Sequence, residues 1–172
     1  RTMKAGILAA AAIACCPALA LAQDQNNEFR KFIAGMVPKA TKAFASKDIA
    51  FFQKMTAADF SFKQYGRPVS PRKAALGELK MMFDSMKTIK VKDTVLSASA
   101  AANVGTVKIA SYMIGVSKPT PQDKKARKVE MWSYTRETWT RTPEGWKLKM
   151  IEETKPGKMT MDGKPYNPAG GG

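Results

Sequence analysis

The sequence predicts an α+β fold in which helices close one face of a curved antiparallel sheet, and three observations predict it. Through the first half of the chain, apolar residues recur three and four apart, as they do along one face of a helix. In the second half the period falls to two, in long segments separated by turn residues. Helices first and strands after give segregated layers, not alternating βαβ units.

The chain opens Arg1-Thr2-Met3-Lys4 and continues as an uncharged, alanine-rich run from Ala5 to Ala22. A basic start, a short apolar middle and the overlapping small-x-small sites Ala18/Ala20 and Ala20/Ala22 have the grammar of a cleaved signal peptide over residues 1–22. Met3 is the expected start, and the protein is expected to be exported, periplasmic or secreted. A membrane anchor fits less well, because the run carries Pro17 and is barely long enough to span. Lipid attachment also fits less well, since neither Cys15 nor Cys16 follows a leucine three positions earlier.

Residues 23–172 have the size of one compact domain. Both cysteines leave with the leader and the chain has no histidine, which excludes Cys- and His-based nucleophilic catalysis and the usual zinc sites. No metal or other cofactor is therefore expected, and chemistry falls to Asp, Glu, Lys, Arg, Tyr and the hydroxyls. The formal net charge of +15 favours anionic partners, such as an anionic surface. It is concentrated only at Lys118–Lys128, a segment without interleaved aromatics that reads as a solvated loop, so no specific nucleic-acid partner is predicted.

Each element follows from local signals. Phe29, Phe32, Ile33, Met36, Val37, Ala40 and Phe44 mark a first helix, with a kink or break expected near Val37 because Pro38 removes a backbone donor. Asp48 caps a short second helix whose buried side is Ile49, Phe52 and Met55. Asp59–Lys63 alternates as a first strand, and Tyr65-Gly66-Arg67-Pro68 turns the chain. Ser70-Pro71 reads as an N-cap and first helical residue, with Ala75, Leu79, Met82, Phe83 and Met86 on the apolar face of the third helix. Ile89, Val91 and Val95 alternate in a second strand and Thr106–Val116 forms a third. The domain is expected to end at Thr154, with the Gly- and Pro-rich residues 155–172 as a mobile tail.

The organising segment is Val129–Thr154, two long strands around Thr142-Pro143-Glu144-Gly145, where Pro143 presets φ and Gly145 accepts the positive φ that closes a turn. With a bulge at Gly145, the expected pairs are Thr142/Trp146, Thr140/Leu148, Thr138/Met150 and Arg136/Glu152. That register puts Trp132, Tyr134, Arg136, Thr138, Trp146, Leu148, Met150 and Glu152 on one face, expected to look inward as a pocket wall.

Several of these segments together resemble the nuclear transport factor 2-like superfamily, especially its SnoaL-like bacterial branch. They are Lys47-Asp48-Ile49 ahead of Phe52, Asp59-Phe60-Ser61-Phe62 with Gly66, Ser70-Pro71, Arg136-x-Thr138-x-Thr140, and Glu144-Gly145-Trp146-Lys147-Leu148. The resemblance covers about residues 28–154. It implies a cone of bent antiparallel sheet wrapped on N-terminal helices (a cystatin-like roll), a pocket in the cone mouth, and a homodimer through the outer sheet face. It also implies one of many activities, among them isomerases, cyclases and dehydratases. Isomerase-type members carry a carboxylate base at the end of the first strand, a few residues past the position of Asp59, where this chain has Lys63, Gln64 and Tyr65.

Three functional readings remain. The first is an exported small-ligand-binding domain that holds an apolar or acidic molecule against Trp132, Tyr134, Arg136, Trp146 and Glu152. The second is an isomerase-, cyclase- or dehydratase-like enzyme with Glu152 as the catalytic proton-transfer group, its carboxyl raised by Trp132 and Trp146 unless Arg136 pairs with it. The third is a basic module for envelope or nucleic-acid polyanions.

Overall fold

The computed structural model of the chain describes residues 17–166. Most of the predicted leader, residues 1–16, lies outside the described residues. Helix α1 spans Pro17–Ala45, α2 Ile49–Met55 and α3 Arg72–Ser85. The strands are β1 Thr56–Lys63, β2 Val69–Pro71, β3 Met86–Ala101, β4 Val104–Ser117, β5 Lys128–Thr142, β6 Gly145–Glu153, β7 Lys158–Met161 and β8 Lys164–Pro165. They form one unclosed sheet in the order β2-β1-β6-β5-β4-β3, with β7 beside β5 and β8 beside β7. β1 runs parallel to β6, against the wholly antiparallel expectation; the other pairings are antiparallel.

The helices cover one face, in two apolar clusters. Phe29 and Ile33 of α1 pack with Val107, Ile109, Trp139, Trp146 and Leu148. Farther along, Ala43, Phe52, Leu76 and Phe83 pack with Ile89, Met113 and Val129. The approach of α1 to the sheet depends on Gly105, since a β-carbon there would clash with the Cζ edge of the Phe29 ring. Asn26 and Arg30 lock the same crossing to β3: the Ala100 N–H donates to Asn26 Oδ1 at 3.0 Å and Arg30 Nε donates to the Ala98 carbonyl at 3.0 Å.

Several local expectations need correction. Of the kink or break expected near Val37, the break is absent: helix α1 is continuous through Pro38. Packing on both sides of Pro38, with Val37 against the first cluster and Ala43 in the second, stabilises the helix across the missing donor. Ser70 does not cap α3; it lies in β2, and Pro71 occupies the N-cap position, where no side-chain hydrogen bond caps the helix. Asp48 does cap α2, accepting from the Phe51 N–H at 3.1 Å. Part of the expected tail is ordered: Lys158–Met161 pairs with Val129–Trp132, and Arg127 and the Lys128 N–H both bind Asp162. Sequence periodicity misses β7 because four residues are too few to show one.

The central hairpin holds the correction that matters most for function. Arg136/Glu152 and Thr138/Met150 pair as expected, but Trp139 faces Leu148, Thr140 faces Lys147 and Thr142 faces Gly145. The extra residue is thus not at the turn. It is Lys149, bulged between Leu148 and Met150, while Pro143-Glu144 forms a two-residue loop closed by Gly145 at φ +106°. The bulge switches the alternation of β6, so Trp146 and Leu148 point to the helices while Met150 and Glu152 point away.

Candidate functional site

On β5 the residues that join the helix-facing clusters are Val129, Met131 and Trp139, all of one parity. Trp132, Tyr134 and Arg136 therefore point outward, opposite to the expected inward wall. Of the expected ligand residues, Trp132, Tyr134, Arg136 and Glu152 share the outer face, whereas Trp146 is buried in the core, 4.6 Å from the Phe29 ring. The expectation took aromatic residues as inward. Helix-facing parity is set instead by Val129 and Trp139, which are 3% and 2% exposed.

Glu152 is held between two cations. Lys63 Nζ lies 2.9 Å from its Oε1, and Arg136 pairs with its Oε2. The hydrogen bond from Lys63, then that from Arg136, keeps its carboxyl below the usual glutamate range. Such a group stays ionised at neutral pH and is a weak base, so the catalytic assignment to Glu152 does not fit the geometry. The predicted Arg136/Glu152 contact is present.

The inward parity also carries polar residues, and these escaped the sequence reading. Asp93 pairs in register with Ser111, Ser111 with Ser133, Thr135 with Glu153, and Val107 with Glu137. All share the inward parity of Val107, Ile109 and Met113, so Asp93, Ser111, Ser133, Thr135, Glu137 and Glu153 form a polar seam between the two apolar clusters. Ser111 Oγ donates to Asp93 Oδ1 at 2.6 Å, and the Tyr65 N–H donates to Glu153 Oε2 at 2.9 Å. The Lys63-Gln64-Tyr65 position, where the sequence lacks an isomerase-type base, thus binds a carboxylate through its backbone.

Glu137 is the chemically distinctive member of the seam. Burial pushes its carboxyl up to about 7 from an ordinary 4.5; the hydrogen bond from Trp139 Nε1, 2.9 Å from Oε2, works against this, and the negative charge of Asp93 adds to it. No cation pairs with it among the described residues. A carboxyl near 7 that keeps an acceptor oxygen can both take and return a proton at neutral pH. The sequence signal was available: Glu137 precedes the buried Trp139 by two residues and so shares its face. It is hidden by the expectation that Trp132, Tyr134 and Arg136, of the opposite parity, look inward.

Among the described residues no group of three or more Asp and Glu side chains is arranged to hold a metal ion. No helix among them is long and apolar enough to cross a membrane.

This arrangement of helices, unclosed sheet and terminal hairpin occurs in solved structures. A nuclear transport factor 2-like superfamily protein from Salmonella enterica serovar Typhimurium matches with a TM-score of 0.59 at 11% identity, over 73% of this chain and 89% of that one. The chain has the nuclear transport factor 2-like fold. Two further structures of similar fold are a candidate scytalone dehydratase from Novosphingobium aromaticivorans and a type 2 hexachlorocyclohexane dehydrochlorinase, LinA. The first has a TM-score of 0.61 at 14% identity, covering 81% of this chain and 92% of that one. The second also has a TM-score of 0.61, at 12% identity, covering 82% and 94%. No protein-family model and no curated protein matches the sequence. Within the nuclear transport factor 2-like fold, the seam lies on the helix-covered face and the aromatic residues of the central hairpin are divided between the two faces.

Proposed function

We propose that the chain binds a small, largely apolar molecule against the inner seam and that Glu137 moves a proton on it. The observation that carries this reading is the inward placement of Glu137, raised toward neutrality by burial, without a neutralising cation. Asp93 and Ser111, already hydrogen-bonded to one another, supply a fixed polar group on the same face, and Ser133 and Thr135 supply hydroxyls. Structures of the same fold named for a dehydratase and a dehydrochlorinase support a ligand-binding or enzyme-like domain. Both names describe eliminations, for which removal of a proton by a positioned base is the natural first step.

Export remains part of the proposal, on the leader-like residues 1–22. N-terminal sequencing of the protein recovered from its native cells should begin at Gln23; a chain retaining residues 1–22 would contradict it.

The chemistry is tested in deuterated buffer with a panel of cyclic ketones and halogenated cyclohexanes. Wild type should exchange a carbon-bound proton, or release halide, faster than buffer for at least one compound, and Glu137→Gln should lose that acceleration while Glu152→Gln retains it. Equal rates in wild type and Glu137→Gln would contradict the assignment.

A further inference from the structure

The outward face of the sheet carries a second constellation, which meets the seam only at Ser111. Tyr112 on β4 and Trp132 on β5 project outward with ring centroids 5.1 Å apart, tilted by 36°. With Tyr134, Lys92, Thr94, Ala110 and Ser111 they line a hollow of about 290 Å³. The segment between β6 and β7 runs along its rim and sets Lys155 Nζ 3.4 Å above the Tyr134 ring; Lys158, the first residue of β7, places its Nζ 5.2 Å from the Trp132 ring. Among the described residues, Lys92, Lys155 and Lys158 pair with no carboxylate. Glu130, the acidic group beside the rings, is already occupied: it accepts from the Tyr112 hydroxyl at 2.6 Å and pairs with Lys128 at 3.1 Å.

We propose that this hollow is a second binding site, for a small planar aromatic anion whose ring lies against Tyr112 and Trp132 and whose carboxylate or phosphate is held by Lys155 and Lys158. An ammonium over an exposed ring is held only weakly by the ring quadrupole. A bound anion offers each lysine a full opposite charge without displacing an existing ion pair. The hollow lies at the small end of ligand sites, near the lower bound of about 300 Å³, so it suits one or two fused rings better than a polymer. The net charge of +15 raises the local concentration of any anion, and a second copy docked here would set the same lysines against one another.

The test is a titration of the full chain with 1-naphthoate, 1-naphthyl phosphate and uncharged 1-naphthalenemethanol, followed by 15N NMR at the tryptophan indoles. Trp139 and Trp146 are buried, so the Trp132 indole, assigned with Trp132→Phe, is the local reporter. Binding of either anion should move the Trp132 signal, weaken at least tenfold in Lys155→Ala/Lys158→Ala, weaken with added salt, and persist in Glu137→Gln. The tighter of the two anions identifies the head group. The proposal is overturned if the double lysine variant binds as wild type does, if the uncharged compound binds equally well, or if no compound moves the Trp132 signal. Sedimentation showing a dimer that shields Trp132 from iodide would also overturn it, since a second copy would then occupy the face.

Discussion

Replacing Glu137 with glutamine should make the protein more stable, and more so as the pH rises. The folded-state carboxyl sits at about 7 against 4.5 when unexposed to the fold, so folding raises its pKa. The favourable contribution of a group raised in this way is complete below the unfolded value and is lost as the pH climbs through the folded one. Between pH 4 and pH 8 wild type therefore loses about 3 kcal/mol at this site, from 1.36 kcal/mol for each pH unit of displacement. Glutamine has nearly the same shape, stays neutral and can still accept from Trp139 Nε1, so it avoids the loss. The assay is urea unfolding of both proteins across this range, followed by the emission of the buried Trp139 and Trp146. The stability of Glu137→Gln relative to wild type should increase by about 3 kcal/mol from pH 4 to pH 8. Curves that stay parallel would mean that Glu137 is solvated and ordinary, and would refute the reasoning about the seam.

Three other substitutions probe the surroundings. Trp139→Phe removes the hydrogen bond that favours the ionised form of Glu137, so the carboxyl should titrate higher still; an NMR-monitored midpoint that falls or stays fixed would contradict this. Gly105→Ala drives a methyl group into the edge of the Phe29 ring and should cost about 1–3 kcal/mol in urea unfolding, whereas an unchanged midpoint would mean that α1 does not cross β4 there. Glu152 is lowered by Lys63 and then Arg136, so its contribution is present above its unfolded value and is lost as the pH falls through the folded one. Glu152→Gln should accordingly flatten the acid side of the stability profile and leave the alkaline side unchanged, while a flattened alkaline side would contradict the pairing.

The layers were legible because periodicity reports burial. Phe29, Ile33 and Phe52 fall at helical spacing and Val107, Ile109 and Met113 alternate, and each is buried where that pattern puts it. The Arg136/Glu152 pair was also legible, because beyond the bulge the register depends only on the count from the turn with one extra residue, wherever that residue sits. What could not be read was the position of the bulge. Local signals at Gly145 favoured a bulge there, yet packing places it at Lys149, where it brings Trp146 and Leu148 into the core with Trp139. Moving that single residue inverts one end of β6 relative to the other. The remaining error was a chemical assumption. An inward wall of Trp132, Tyr134, Arg136 and Glu152 leaves Glu137 on the opposite face by alternation alone, although a tyrosine or tryptophan keeps a polar edge that suits a half-exposed position.

The most direct test of the inner seam as the functional site is the titration of the Glu137 carboxyl itself, followed by 13C NMR in protein labelled at glutamate side-chain carbons and assigned by its absence in Glu137→Gln. A midpoint close to 7, moved by a bound ligand, is the predicted result. A midpoint at the ordinary 4.5, unmoved by any compound that binds, would contradict the account.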